Sequence, residues 1–401
     1  MQHHVTQFAQ VEPALRLPDL KQALYDADPI FLPTTVVALH GDEHKEKRRV
    51  VQSLFTREFF RQYQNRVFPN ALAETLAPAV AAGGGDMSRF AYRVLVNLVA
   101  DVAGVDREGT QEQTDRLQMI IAKLGKAPTM GQMLSGSRED AVAEIREALE
   151  LFKSGYYLHS AARRRDLIAR KAADASAELP RDMLTSMLQT YDGRVDEDQL
   201  VRDTAFFILA GAFTTANALQ NTVWEILTWC RFHPGTRAEL LASPDLLQKF
   251  IWESLRLHPA SPVARRKALC PMHLPDETEV AERDIIDIDI AIANRDASVF
   301  GADADRFNPY RELPRRVQLH GMSFGAGMHA CVGRILAAGM PAALGTATED
   351  ETEYGTLHMV IHALLSEGID FHPTEPPTID ESTTRKHFHS FPFVLKGREA
   401  A

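Results

Sequence analysis

The stretch Ser323-Phe324-Gly325-Ala326-Gly327-Met328-His329-Ala330-Cys331-Val332-Gly333 decides how the rest of this chain is read. It sets one thiol between glycines, and the other two cysteines, Cys230 and Cys270, lie far upstream. Gly325, Gly327 and Gly333 can take backbone conformations closed to other residues, and so let a flat, bulky partner approach the main chain. Successive amide N–H groups in such a turn can point at the sulfur and favour thiolate over thiol. Three plainer readings compete. A solitary cysteine is usually a small buried hydrophobe. A nucleotide-binding G-x-G-x-x-G loop needs a glycine where Ala330 stands. A cysteine nucleophile needs an orienting base, and His329, only two residues away, is too local to establish one.

Three other segments bear on the choice. In Trp252-Glu253-Ser254-Leu255-Arg256-Leu257-His258-Pro259 the two charges are three residues apart, neighbours on one helix face, and Ile251, Trp252, Leu255 and Leu257 turn that face inward. In Asp42-Glu43-His44-Lys45-Glu46-Lys47-Arg48-Arg49, His44 and Arg48 are one helical turn apart, so one carboxylate-bearing cofactor can take both. Without the cysteine loop, this would read as a solvated basic face. From Asp203 to about Trp229 the chain is apolar nearly all round, the mark of a buried helix, with too many threonines and asparagines for a membrane span. Gly211 inside it costs roughly 1 kcal/mol against alanine, which points to a local opening or a close approach.

Taken together, these segments resemble the cytochrome P450 superfamily, the haem-thiolate monooxygenases. Phe324, Gly325, Gly327, His329, Cys331 and Gly333 match its cysteine signature, which this family uses to ligate haem through sulfur. Glu253 and Arg256 look like its Glu-x-x-Arg element, and the resemblance makes Arg311, in Asn308-Pro309-Tyr310-Arg311, the third member. His44 and Arg48 look like its propionate pair, joined by Arg266 and His329. Ala210, Gly211, Thr214 and Thr215 are similar to the central-helix pattern Ala-Gly-x-acid-Thr-Thr.

The resemblance implies a mainly α fold with small β-sheets over residues 1–401 as one domain. It implies haem b with Cys331 as the axial iron ligand, dioxygen, and electrons from NAD(P)H through a ferredoxin and a ferredoxin reductase. The expected reaction is hydroxylation of a small hydrophobic substrate by hydrogen abstraction and rebound. By position, Leu209, Phe213, Val263, Ala264, Ser390 and Phe391 are the pocket candidates, an apolar set with few polar groups.

Phe213 departs from the pattern, because the family usually has an acid immediately before the threonine to feed protons towards dioxygen. General acid help is typically worth about 10²–10⁴-fold. Either Thr214 still donates a hydrogen bond while another group or a water chain replaces the acid, or the protein uses peroxide directly, or it performs non-monooxygenase chemistry on the same scaffold in a step that needs no proton relay. A haem-binding sensor that never turns over is the reading from another class.

Composition sets outer bounds. A net charge of −10 over 401 residues argues against nucleic acid. The cysteine spacing suits a reduced, cytoplasmic compartment, and no apolar leader or membrane-length run is present, so no membrane anchor is expected. Lys45, Lys47 and Arg49, with Arg315, Arg316 and Arg334, would form a basic patch able to steer an acidic ferredoxin.

Elsewhere the pattern predicts helices at Phe90–Val99 and from Glu139 to about Lys171, a stop and cap at Gly83-Gly84-Gly85-Asp86, and a Gly, Pro and Met-rich loop between Gly125 and Gly136. Strands are expected late, around Ile285–Ile290 and Phe391–Leu395. Only 43 residues precede His44, so the first small sheet is expected to be reduced. After Cys331, Gly339-Met340-Pro341 and the acidic Thr348–Glu353 interrupt what would be one long helix, and a break is expected there.

Overall fold

The computed structural model describes residues 1–340 and 353–397. Its axis is the helix Glu197–Phe232, 36 residues or about 54 Å at about 1.5 Å per residue. Asp196 starts it by accepting the Gln199 N–H, and seventeen of its residues are buried, which is how an almost uniformly apolar sequence must pack. Met87–Ala103 lies along one side of it and Pro244–Leu257 along another. The expected helix is therefore present, longer at both ends than its apolar core alone implied.

Gly211 marks a close approach and not an opening, for the helix is unbroken there. A Cβ at that position would lie 2.9 Å from both methyls of Val99 on Met87–Ala103. Alanine there gains roughly 1 kcal/mol of helix propensity, but overpacking against a stiff β-branched side chain typically costs about 1–3 kcal/mol. Gly211→Ala is thus expected to destabilise by about 1 kcal/mol net, and urea denaturation of Gly211→Ala/Val99→Ala should recover part of the two single losses.

The remaining helices follow their local signals. Gly83 ends Phe68–Ala82 in the left-handed region and Asp86 caps the next helix by accepting the Arg89 N–H, as expected for that Gly-Asp run. Arg138–Phe152 and Leu158–Ala173 continue one another through a wide turn at Lys153–Tyr157, matching the long periodic stretch. The segment expected as a loop between Gly125 and Gly136 is instead partly helical, at Lys126–Thr129 and Met130–Gln132. Ala127 and Met130 are buried there, and that burial holds the turns despite Pro128 and Gly131.

The strands are short and few. Gln2–Val5 runs parallel to Ile285–Asp289, which pairs antiparallel with Val263–Ala268, and Leu20–Gln22 closes that sheet. A second sheet joins Gly84–Asp86, Pro392–Leu395 and Ile369–Phe371, and a hairpin pairs Thr378–Asp380 with His387–Ser390. The brief beginning of the chain thus supplies both outer strands of a four-stranded sheet, where a reduced sheet was expected. Three to six residues per strand suffice because one face of the four-stranded sheet is backed by a small apolar core that includes Val5, Leu20, Ile286 and Ile288.

After the cysteine loop, the helix Arg334–Ala338 stops at Gly339 (φ 70°) and the next runs Gly355–Ser366. The break is held from outside. Gln248 Nε2 and Trp252 Nε1 both donate to the Ala338 carbonyl, at 2.6 and 2.9 Å, and Met340 N donates to Glu353 O at 2.8 Å. Pro341 and Thr348–Thr352, to which the interruption was ascribed, lie outside the described residues.

Candidate active site

The cysteine loop is shaped by backbone. A single 3₁₀ turn, Gly327–His329, precedes Cys331, whose N–H donates to Phe324 O at 2.9 Å. Gly327 has φ 67°, and a Cβ there would sit 2.5 Å from the Leu15 carbonyl, so the loop rests directly on the N-terminal helix Phe8–Leu15. Cys331 keeps accessible surface, yet desolvation is the largest influence on its thiol and pushes its pKa up. A hydrogen bond from the Gly333 amide and the charges of Arg48 and Arg334 work the other way and favour thiolate.

Around that sulfur the structure gathers the basic residues singled out in the sequence. The helix Gly41–Leu54 carries His44, fully buried, with neither ring nitrogen hydrogen-bonded. Its ring meets His329 edge-on at 4.6 Å, and His329 Nε2 is likewise buried without a partner. Arg48 donates to the Ala330 carbonyl at 2.6 Å, and Arg266 to Gln22 Oε1 at 2.7 Å. Desolvation, then the neighbouring cations, holds His329 down to about 3 and His44 to about 4, so both rings are neutral. Burial likewise lowers Arg266 to about 10. Buried polar atoms without partners cost free energy, and the orphaned nitrogens of His44 and His329, together with the guanidinium groups of Arg48 and Arg266, suit an iron-bearing macrocycle with two carboxylates. Haem fits this donor set: Cys331 for the metal, and His44, Arg48, Arg266 and His329 for the carboxylates.

Behind the loop sits the ion network. Glu253 Oε2 accepts from Arg256 Nε at 2.7 Å, while Oε1 accepts from Arg256 Nη2 at 2.8 Å and from the Asn308 amide at 2.9 Å. Arg311 reaches the same Oε1 at 3.3 Å and also bonds Asp303 and the Phe300 carbonyl. Arg256 donates onward to the carbonyls of Asn294 and Ala304 and lies over the Phe300 ring. Arg311 therefore stands where the motif needed a third charge.

The central helix carries Ala210, Gly211, Phe213, Thr214 and Thr215. Thr214 Oγ1 donates to the Ala210 carbonyl at 2.7 Å, so its proton is spent within its own helix and an acceptor lone pair is what it offers outward. The expected donated hydrogen bond is not made in this arrangement. Phe213 is flanked by Arg385, 5.5 Å above its ring, and by His387, edge-on at 6.3 Å.

Several pocket candidates are placed elsewhere. Leu209 is packed in the large helical core, and Ala264 in the core beneath the small sheet. Phe391, the link between the strands His387–Ser390 and Pro392–Leu395, is fully buried against Trp224, Phe371 and Phe388. Ser390 donates to Asp86 Oδ2 at 2.5 Å. Phe213 and Val263 remain half-buried. Lys47, expected in a basic patch, is tied to buried Asp203 at 2.7 Å and to Thr34 O, and Lys45 pairs with Asp42.

Some neighbours carried no local signal. Tyr25, Gln22, Arg385 and His387 come from segments whose proximity is purely tertiary. His40 is the exception, since His40, His44 and Arg48 recur at one-turn spacing and His40 adds its charge to the field on His329.

A family model described as Cytochrome P450 matches residues 18–343. Mycinamicin VIII C21 methyl hydroxylase of Micromonospora griseorubida is 35% identical over 145 residues, 36% of this chain and 34% of that protein. Pentalenic acid synthase of Streptomyces avermitilis is 27% identical over 326 residues, 79% of this chain and 71% of that one. The crystal structure of CalO2 matches with a TM-score of 0.74 at 21% identity, over 98% of this chain and 90% of that chain, a likeness of fold. No helix among the described residues is long and apolar enough to cross a membrane.

Proposed function

Because this chain belongs to the cytochrome P450 family, we propose that it is a haem-thiolate monooxygenase that hydroxylates a small hydrophobic organic substrate. Electrons would come from NAD(P)H through a ferredoxin and its reductase. The observation that carries this reading is the set of orphaned, buried nitrogens of His44 and His329 beside Arg48, Arg266 and the Cys331 sulfur. When bound there, thiolate-ligated haem supplies the activation of dioxygen and the cleavage of an unactivated C–H bond.

The protein's own residues hold and shape that chemistry. Arg48 and Arg266 offer fixed cationic forks, and His44 and His329 are neutral rings that can each give one N–H to a carboxylate. The Gly333 amide and the nearby arginines stabilise sulfur as thiolate. Thr214 keeps an acceptor lone pair, and the Phe213 ring offers an apolar surface beside it. A hydrophobic substrate gains from that surface, since apolar burial is worth about 25 cal/mol per Å².

Phe213 and the internal bond of Thr214 favour a second reading, in which peroxide replaces dioxygen and reductant. Comparing product formation with a surrogate ferredoxin system against hydrogen peroxide separates the two. Faster reductase-driven product formation is the expected result, and product from peroxide alone would support the peroxygenase. Haem uptake without product from either source would leave the sensor. At saturating substrate, Phe213→Asp is expected to raise the product recovered per NAD(P)H. The gain is bounded by one product per NAD(P)H and should be small beside the roughly 10²–10⁴-fold in rate typical of general acids, because Arg385 would pair with the new carboxylate and keep it ionised.

A further inference from the structure

Arg385 is a cation with nothing to neutralise it. Among the described residues no hydrogen bond or ion pair reaches its guanidinium, although its backbone is closely held. The hairpin tip that carries it is fastened to the segment above by Leu134 N to Ser382 O at 2.9 Å, by Thr384 N to Gln132 O at 3.0 Å, and by the bridge of Met133 with Thr383. The nearby carboxylates are already engaged. Asp380 is 3.1 Å from His387 Nε2 and accepts the Ser382 amide, and Asp26 pairs with Lys267 at 2.7 Å. His387 has no free nitrogen, since its Nδ1 faces the Arg385 carbonyl at 3.0 Å.

Arg385 also looks into the site. Its guanidinium lies over Phe213, immediately before Thr214 on the central helix. It is only partly exposed, and burial is the largest influence on its guanidinium, lowering its pKa. Tyr25 shows the same combination and feels the charges of both Arg385 and Arg266, which links this corner to the residues around His329. His44, Arg48, Arg266 and His329 already provide donors for two cofactor carboxylates. Arg385 is surplus to them.

A partly buried guanidinium with no hydrogen-bonded partner is disfavoured unless an anion meets it. Resting on the monooxygenase reading above, we propose that Arg385 is the specificity-determining residue of the site and that the substrate carries a carboxylate, docked on this guanidinium while its apolar body lies along Phe213.

The test uses holoenzyme and two matched pairs of probes: dodecanoate with dodecanamide, and 3-phenylpropanoate with its amide. Binding is read from the substrate-induced spin-state shift. In at least one pair the acid should bind about tenfold tighter than the amide, the size expected for a charge-assisted hydrogen-bonded pair. Arg385→Gln should erase that preference without weakening the amide, and Arg385→Lys should keep part of it. The proposal is overturned if neither pair shows acid-selective binding, or if Arg385→Gln leaves the preference intact. It is equally overturned if Arg385→Gln lowers haem content with the acid-to-amide ratio unchanged, which would make the guanidinium a cofactor contact. A reduced CO-difference spectrum on the same samples reads the haem-thiolate assignment separately, so its failure is not confused with failure of this one.

Discussion

Cys331→Ser is expected to give a folded protein that no longer shows the red-shifted CO-difference band of a thiolate-ligated haem and whose turnover falls to background. The loop does not depend on the sulfur for its shape. Its turn is held by the Cys331 amide on Phe324 O and by Gly327 against the Leu15 carbonyl, neither of which serine disturbs. What changes is the donor. A serine hydroxyl has no accessible anionic form near neutral pH, so it can neither ligate as thiolate does nor push electron density onto the metal. Circular dichroism, haem content and the reduced CO-difference spectrum, measured together, check this. A serine variant that kept the thiolate band would remove Cys331 from the role, and with it the reading of the whole loop.

Glu253→Ala should be the most destabilising single change outside the loop. The carboxylate is 4% exposed and Arg256 is 0% exposed, and Glu253 is the common acceptor for Arg256, Arg311 and the Asn308 amide. Removing it leaves two buried guanidinium groups sharing only carbonyls and Asp303. Breaking such a pair typically costs about 3–5 kcal/mol, a large part of the roughly 5–15 kcal/mol that holds a domain folded. Loss of soluble, haem-loaded protein and a lower urea midpoint are the expected results, with unchanged substrate selectivity in whatever folds. Glu253→Gln should be milder, because an amide oxygen still accepts one hydrogen bond. A loss below about 1 kcal/mol on Glu253→Ala would mean that the network does not brace the fold.

The sequence was readable wherever chemistry depends on near neighbours. One helical turn joins His44 to Arg48 and three residues join Glu253 to Arg256, so those pairings could be proposed before any coordinates. The apolar run around Ala210 announced a buried helix, whereas Gly211 left a local opening and a close approach both open until Val99 decided for the approach. The pocket was the weak point. Leu209, Ala264 and Phe391 have the apolar character of a lining, yet core and lining draw on the same residue types, and three of the six candidates went into cores. Lys47 likewise read as surface charge until Asp203, 156 positions away, claimed it.

Local spacing, then, determined which atoms can ligate metal and carboxylate, and which helix spans the molecule. Tertiary packing alone decided which charges stay unpaired, which side chains are buried and how the short N-terminal stretch completes a sheet. The reason is physical: spacing is a property of a few consecutive residues, whereas burial and pairing are set by surroundings that arrive from distant parts of the chain. Arg385 looks unremarkable in its own segment. Phe213 and Tyr25, far off in sequence, are what make it a candidate for recognition.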